Sequence, residues 1–148
     1  LEDIEIIEEM SRNCKLRVHI SIEGDRERLP GLPPPPSSVG DRIKTLQQLS
    51  SRGIFTVGCI SPLYPLDDAD RFFSRIKSAG TSAVVIDHFI LGDGTPDGSR
   101  TKKTSLPSLM ENILPESIHL SYRDKVADIA RKYLPVGISA AGFAGNYS

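Results

Sequence analysis

Residues 83–89, AVVIDHF, set the reading of the whole chain. Four apolar residues run without interruption, and two polar ones, Asp87 and His88, stand at the far end. A strand with one wet face alternates apolar with polar. An unbroken apolar run of this length fits a parallel strand covered on both faces. Working outward, the same logic predicts a helix over Asp67–Ala79 closed by Gly80, and a strand over Ile54–Ile60 before it. Further upstream lies a helix over Val39–Ser51, with Ile43, Leu46 and Leu49 inward, Ser38 as N-cap and Gly53 just past its end. A strand over Leu16–Glu23 and a helix over Asp3–Arg12 precede it, the helix carrying Ile4, Ile7 and Met10 on one face. Downstream, helices are expected over Ser105–Leu114 and Ser121–Tyr133, the latter stopped by Pro135. A last strand is expected over Val136–Ala140.

Strands separated by helices of about a dozen residues make βαβ units and a parallel sheet. The fold class expected is therefore α/β. The four strands would form part of a TIM-like barrel or a small open sheet, with residues 1–148 as one domain.

Two connections, Gly24–Ser38 and Ile90–Thr104, run to about fifteen residues each, where such loops usually take about 2–6. Both leave the C-terminal end of a strand, the end where β/α folds bind ligands. The connections at the opposite end, Arg52-Gly53 and Gly80-Thr81, are short. The first long loop holds a proline-rich stretch, Pro30–Pro36, that cannot be helical. The second is rich in Gly, Asp and Thr, includes Asp93, and turns basic at Arg100, Lys102 and Lys103. That basic cluster suits a phosphate contact or a solvated loop.

Composition narrows the classes. The chain has 148 residues, 25% of them charged, and a net charge of −1. A free-standing duplex-DNA binder normally carries a basic excess, because it must neutralise several phosphates. No run approaches the ~20 apolar residues of a membrane span. The acidic start, LEDIEIIEEM, is unlike a signal peptide. The Leu at position 1 fits a domain cut from a longer chain or a trimmed terminus. Cys14 and Cys59 form neither a CxxC pair nor a zinc spacing, and reduced thiols in the cytoplasm are expected.

The strand at 16–23 alternates. Leu16, Val18, Ile20 and Ile22 point one way; Arg17, His19, Ser21 and Glu23 point the other. The polar face fits either a wet lumen holding a polar cofactor or an uncovered sheet edge. Asp87 and His88 are adjacent and so point to opposite faces, one toward a ligand and the other toward a helix. Arg26 or Arg28 could reach a ligand from a mixed-charge run. No GxSxG, HExxH, GxGxxG or P-loop pattern is present.

Several phrases resemble a known group. VHISIEGDRERLPG (18–31), DRIKTLQQL (41–49) followed by SRGI (51–54), SPLYP (61–65) and VVIDHFILGDGTPDG (84–98) are similar to the radical S-adenosylmethionine (SAM) proteins of the DNA repair photolyase group, relatives of spore photoproduct lyase. The resemblance spans about Leu16 to Gly145. It implies the C-terminal part of a (β/α)6-type barrel, with SAM and a [4Fe–4S] cluster as the cofactors of the parent protein and a lyase-type radical reaction, on nucleic acid or another substrate. By the same resemblance Ser21, Glu23, Arg42 and Ser61 would contact SAM, while Asp87, His88, Asp93 and Arg100 would face the substrate. The departure is the absence of CxxxCxxC. A cluster with one open iron takes three thiolates in a tight loop, and this chain has two distant cysteines, so it would not be competent alone. The missing barrel half, or self-association through two open sheet edges, would supply its partner. A non-catalytic interaction domain and a small β/α phosphate-sugar binder are the alternatives.

Overall fold

The computed structural model describes residues 2–148. Its elements in chain order are α1 (Ile4–Asn13), β1 (Arg17–Ser21), α2 (Val39–Ser51), β2 (Phe55–Ile60), α3 (Ala69–Ser78), β3 (Ala83–Ile86), α4 (Leu106–Ile113), α5 (Leu120–Arg131), β4 (Val136–Ile138) and the short α6 (Ser139–Phe143). The strands make one fully parallel sheet in the order β1-β2-β3-β4. Sequential order without reversal is the singly wound arrangement of a TIM-like barrel, here an arc of four strands.

The register sorts the side chains into two faces. Ile20, Gly58, Val84 and Val136 lie abreast, followed by Ile60, Ile86 and Ile138. These residues meet Leu46 of α2, Phe72, Phe73 and Ile76 of α3, and Val126, Ala127 and Ala130 of α5 in the main core. All three helices thus pack on one side of the sheet. Caps fix where they begin: the Ser38 hydroxyl accepts from the Asp41 N–H, and the Asp68 carboxylate accepts from the Arg71 N–H.

The other face carries Arg17, His19 and Ser21 of β1, then Val57, Cys59 and Val85. The chain's own last ten residues cover it. Val57, Cys59 and Val85 are buried against Tyr147, Phe143 stacks on His19 at 6.2 Å, and Tyr147 stacks on Phe55 at 6.0 Å. Three glycines let this strap lie close. Gly142 meets Gly137 backbone to backbone, and Gly145, at φ 99°, leaves the space that the Arg17 guanidinium occupies.

Two expectations change. The strand expected over Val136–Ala140 ends at Ile138, because Ser139 adopts φ 46°, outside extended geometry. Among the described residues the β4 edge is covered in part: the outward backbone N–H and carbonyl of Val136 both bond to Ser148, at 2.9 Å each. On β1, Ile22 N–H bonds to Cys59 O. Since alternate residues of a parallel strand serve a given neighbour, Arg17, His19 and Ser21 turn their backbone groups away from β2. α1 has no buried residue, leaves Ile6 and Met10 exposed, and meets the end of α2, where Glu8 pairs with Arg52 at 2.7 Å. No helix among the described residues is long and apolar enough to cross a membrane.

Candidate functional site

Both long loops rise from the C-terminal rim of the sheet, and they are not loose. Leu29 of the first loop, Phe89 at the start of the second and Met110 of α4 form a second small core, with Leu32, Tyr64, Leu106 and Leu109 around it. Gly31, at φ 95°, passes over the Leu109 side chain. The Asp25 carboxylate accepts from the backbone N–H groups of Asp67 and Asp68, and Arg26 pairs with Asp67. These contacts pin the first loop to the start of α3.

Below the first loop, at the end of β1, Ser21, Glu23 and Arg42 come together. Arg42 Nη1 donates to Glu23 Oε2 at 2.7 Å and to the outward Ser21 carbonyl at 3.0 Å, and its Nε donates to Ser37 Oγ at 3.1 Å. The Arg42 side chain is only 13% exposed and that of Glu23 29%, so solvent screens the pair less than it does a surface ion pair. It stands between two cavities. One, of about 440 Å³, runs under the proline stretch toward Leu29 and Tyr64. The other, of about 520 Å³, lies on the open-edge side and includes His19, Ser21 and Thr45. Burial and the nearby Glu23 charge raise the Tyr64 phenol above its ordinary value, keeping it a neutral donor. Arg26 also lines the first cavity, with a buried Nε that has no partner among the described residues.

A second cluster sits at the ends of β2, β3 and β4. Asp87, 6% exposed, accepts from Ser139 Oγ at 2.6 Å and, more weakly, from Ser61 Oγ at 3.4 Å. Gly92 lies on the carboxylate: a Cβ there would come within 2.5 Å of Asp87 Oδ2. In front is a cavity of about 180 Å³, walled by Pro62, Phe89, Gly92, Thr101 and Leu106, with Asp93 and His88 also at its lining. The Ser61–Pro62 peptide bond is cis.

The remaining predicted residues play other parts. His88 is fully buried. Its Nδ1 accepts from the Ile90 N–H at 3.0 Å and its Nε2 lies 2.8 Å from the Ser117 carbonyl, to which it must donate. That uses both nitrogens of a neutral ring, and burial lowers its pKa. Asp87 and His88 do diverge, but the histidine serves the fold. Asp93 organises its loop, accepting from Thr95 N–H, Thr95 Oγ1 and Thr101 N–H at 2.9, 2.6 and 2.7 Å. These bonds hold its carboxyl well below the usual range. Arg100 is exposed, its guanidinium beside Gly94.

Ser139 was not among the predicted site residues. It looked like the interior of a strand, and only its left-handed backbone turns the hydroxyl onto Asp87. The Cys59–His19 contact, Sγ to Nδ1 at 3.1 Å, was also unforeseen. Among the described residues no three His, Cys, Asp or Glu side chains group as metal ligands. The chain matches no known family profile, no curated protein and no solved structure.

Proposed function

We propose that this chain is the C-terminal part of a radical SAM barrel of the photolyase-like group, contributing one wall of the SAM site and the substrate-facing loops. What carries the reading is the convergence of Ser21, Glu23 and Arg42 on the free edge of β1 at the ligand-binding rim. SAM suits that donor set. The Glu23 carboxylate and Ser21 hydroxyl offer acceptors to ribose hydroxyls or an ammonium group, and Arg42 Nη2, unpartnered among the described residues, faces a ligand carboxylate. Ser61 extends the wall toward Asp87. The parent would work in the cytoplasm. Its substrate, nucleic acid on the family's pattern, would approach over the Asp93–Lys103 loop.

The iron–sulfur cluster does not fit this chain. Cys14 is exposed at the end of α1, whereas Cys59 is buried in the sheet and bonded to His19. Two separated thiols cannot replace three in one loop. No step of cluster chemistry belongs to these residues, and the activity is assigned to the parent protein.

The test is SAM binding by calorimetry. Measurable affinity that weakens about tenfold or more in Ser21→Ala and Glu23→Gln is expected. No binding, or binding indifferent to both changes, defeats the proposal. A second reading, an interaction domain without catalysis, is favoured by one observation: the open edge of β1, whose alternate backbone groups have no strand beside them.

A further inference from the structure

We infer that Asp87, Ser61 and Ser139 form the anchoring end of a site for an organic cation, an alkylammonium or guanidinium group, separate from the Glu23–Arg42 cluster. A buried carboxylate costs several kcal/mol unless a cation or a full set of donors compensates it. Among the described residues Asp87 has no Lys or Arg partner. His88 beside it is held neutral with both nitrogens turned elsewhere. Its donors are two serine hydroxyls, one at 2.6 Å and one at a long 3.4 Å. The carboxylate has no cationic side chain beside it among the described residues, and it faces a cavity.

The backbone around it is strained at two positions. Leu91, at φ 70°, and Ser139, at φ 46°, are the two non-glycine residues with positive φ among those described. Both flank Asp87: Ser139 bonds it, and Leu91 precedes the Gly92 that lies on it. Left-handed geometry costs roughly 1–2 kcal/mol for such residues and persists where the surroundings enforce it, often at ligand sites. Here both departures aim at one carboxylate.

The shape selects the ligand class. At about 180 Å³ the cavity admits a small head group. Pro62, Phe89 and Leu106 supply apolar walls for an alkyl stem, and Asp87 supplies one negative charge at the end. A divalent metal would need about six oxygen ligands; Asp87 with its two serine hydroxyls does not provide them, and the oxygens of Asp93, the other carboxylate on the cavity wall, are already taken by Thr95 and Thr101. A neutral ligand would leave the charge uncompensated.

The test is a titration of ¹⁵N-labelled protein with methylguanidinium chloride and with butylammonium chloride, followed by amide shifts, with sodium chloride, magnesium chloride and methylurea as controls and no SAM present. Saturable shifts at Ser61, Gly92 and Thr101 are expected from an organic cation, with affinity at least about tenfold weaker in Asp87→Asn. Leu106→Trp, which fills the cavity and leaves the carboxylate in place, should also abolish them and carries the test if Asp87→Asn does not fold. The inference is overturned if neither organic cation gives a saturable shift, if the variants respond like the native chain, or if sodium, magnesium or methylurea produces the same shifts. Variants at Ser21 and Glu23 should leave this titration unchanged, so the outcome is read independently of SAM binding.

Discussion

The thiol of Cys59 lies 3.1 Å from Nδ1 of His19, across neighbouring strands, with the ring of Phe143 stacked on the imidazole. A Cys–His contact of this length invites comparison with a nucleophile and its base. The environment argues otherwise. Burial pushes the Cys59 thiol up from 9.0 to about 11 and pulls the His19 imidazole down. Both groups are neutral near pH 7, and the thiol keeps its proton.

The first prediction is differential thiol reactivity. Near neutral pH, Ellman's reagent should titrate the exposed Cys14 rapidly and Cys59 only on unfolding. The folded Cys59 pKa lies above its unfolded value. Its contribution to stability is therefore complete below about pH 9 and is lost as pH rises toward 11. Two fast thiols in the native protein would contradict this assignment.

Removing the strap should expose that thiol. In Gly142→Ala the new Cβ would lie 2.6 Å from the Gly137 carbonyl carbon, a backbone atom that cannot swing aside. A loss of about 1–3 kcal/mol in chemical denaturation is expected from overpacking. Faster modification of Cys59 should accompany it. Unchanged reactivity in a destabilised variant would mean that the strap does not shield the sheet.

Ser139 offers a separation of two effects. Ser139→Ala keeps the strained backbone and deletes the 2.6 Å bond to a buried carboxylate, so it should cost about 1.5–3 kcal/mol. Ser139→Gly deletes the same bond and relieves the left-handed strain, so it should recover about 1 kcal/mol of that loss. Equal stabilities for the two variants would show that the backbone at this position is relaxed.

His88 should govern acid sensitivity. Its pKa is lowered by burial, so in acid the unfolded chain takes up a proton that the folded chain resists. The stability it contributes is present above the ordinary histidine value of 6.5 and is lost as pH falls through the depressed folded value. His88→Asn, whose Oδ1 can accept the Ile90 N–H, should show a shallower drop in Tm between pH 7 and pH 5. A drop as steep as that of the native protein would place the acid-sensitive group elsewhere.

Anaerobic reconstitution with iron and sulfide addresses the cofactor. No [4Fe–4S] absorbance band or EPR signal bound to this chain is expected. A stable signal abolished by Cys59→Ser would contradict the pairing of that thiol with His19.

The secondary structure was legible wherever periodicity carried it. The unbroken run at Ala83–Ile86 marked a parallel strand buried on both faces, and Ser38 and Gly53 bounded α2 as local rules require. At the β1 end, alternation placed Ser21 and Glu23 on one face, and the fold adds Arg42 to them. What stayed hidden depended on distant contacts. Nothing local announces that Leu29, in a proline-rich loop, will pack with Phe89 and Met110 to hold two long loops upright. Nor does Val-Gly-Ile-Ser-Ala reveal that its serine leaves the strand for Asp87, since the departure is paid by a tertiary hydrogen bond. The polar face of β1 was expected to line a wet lumen or an edge. The edge reading holds at Ser21, which stays open at the rim, whereas His19 lies under the strap and lines no wet lumen.

The bonds from Val136 to Ser148 also bear on stoichiometry. A sheet with two free edges can add copies without limit, and such head-to-tail contacts grow into fibres. With Val136 of β4 engaged by Ser148, the fully open edge among the described residues is that of β1. Two copies joined β1 to β1 about a twofold axis would leave no fully open edge. Assembly by this route stops at a pair, because the bonds between Val136 and Ser148 take up backbone groups that a further copy's strand would need.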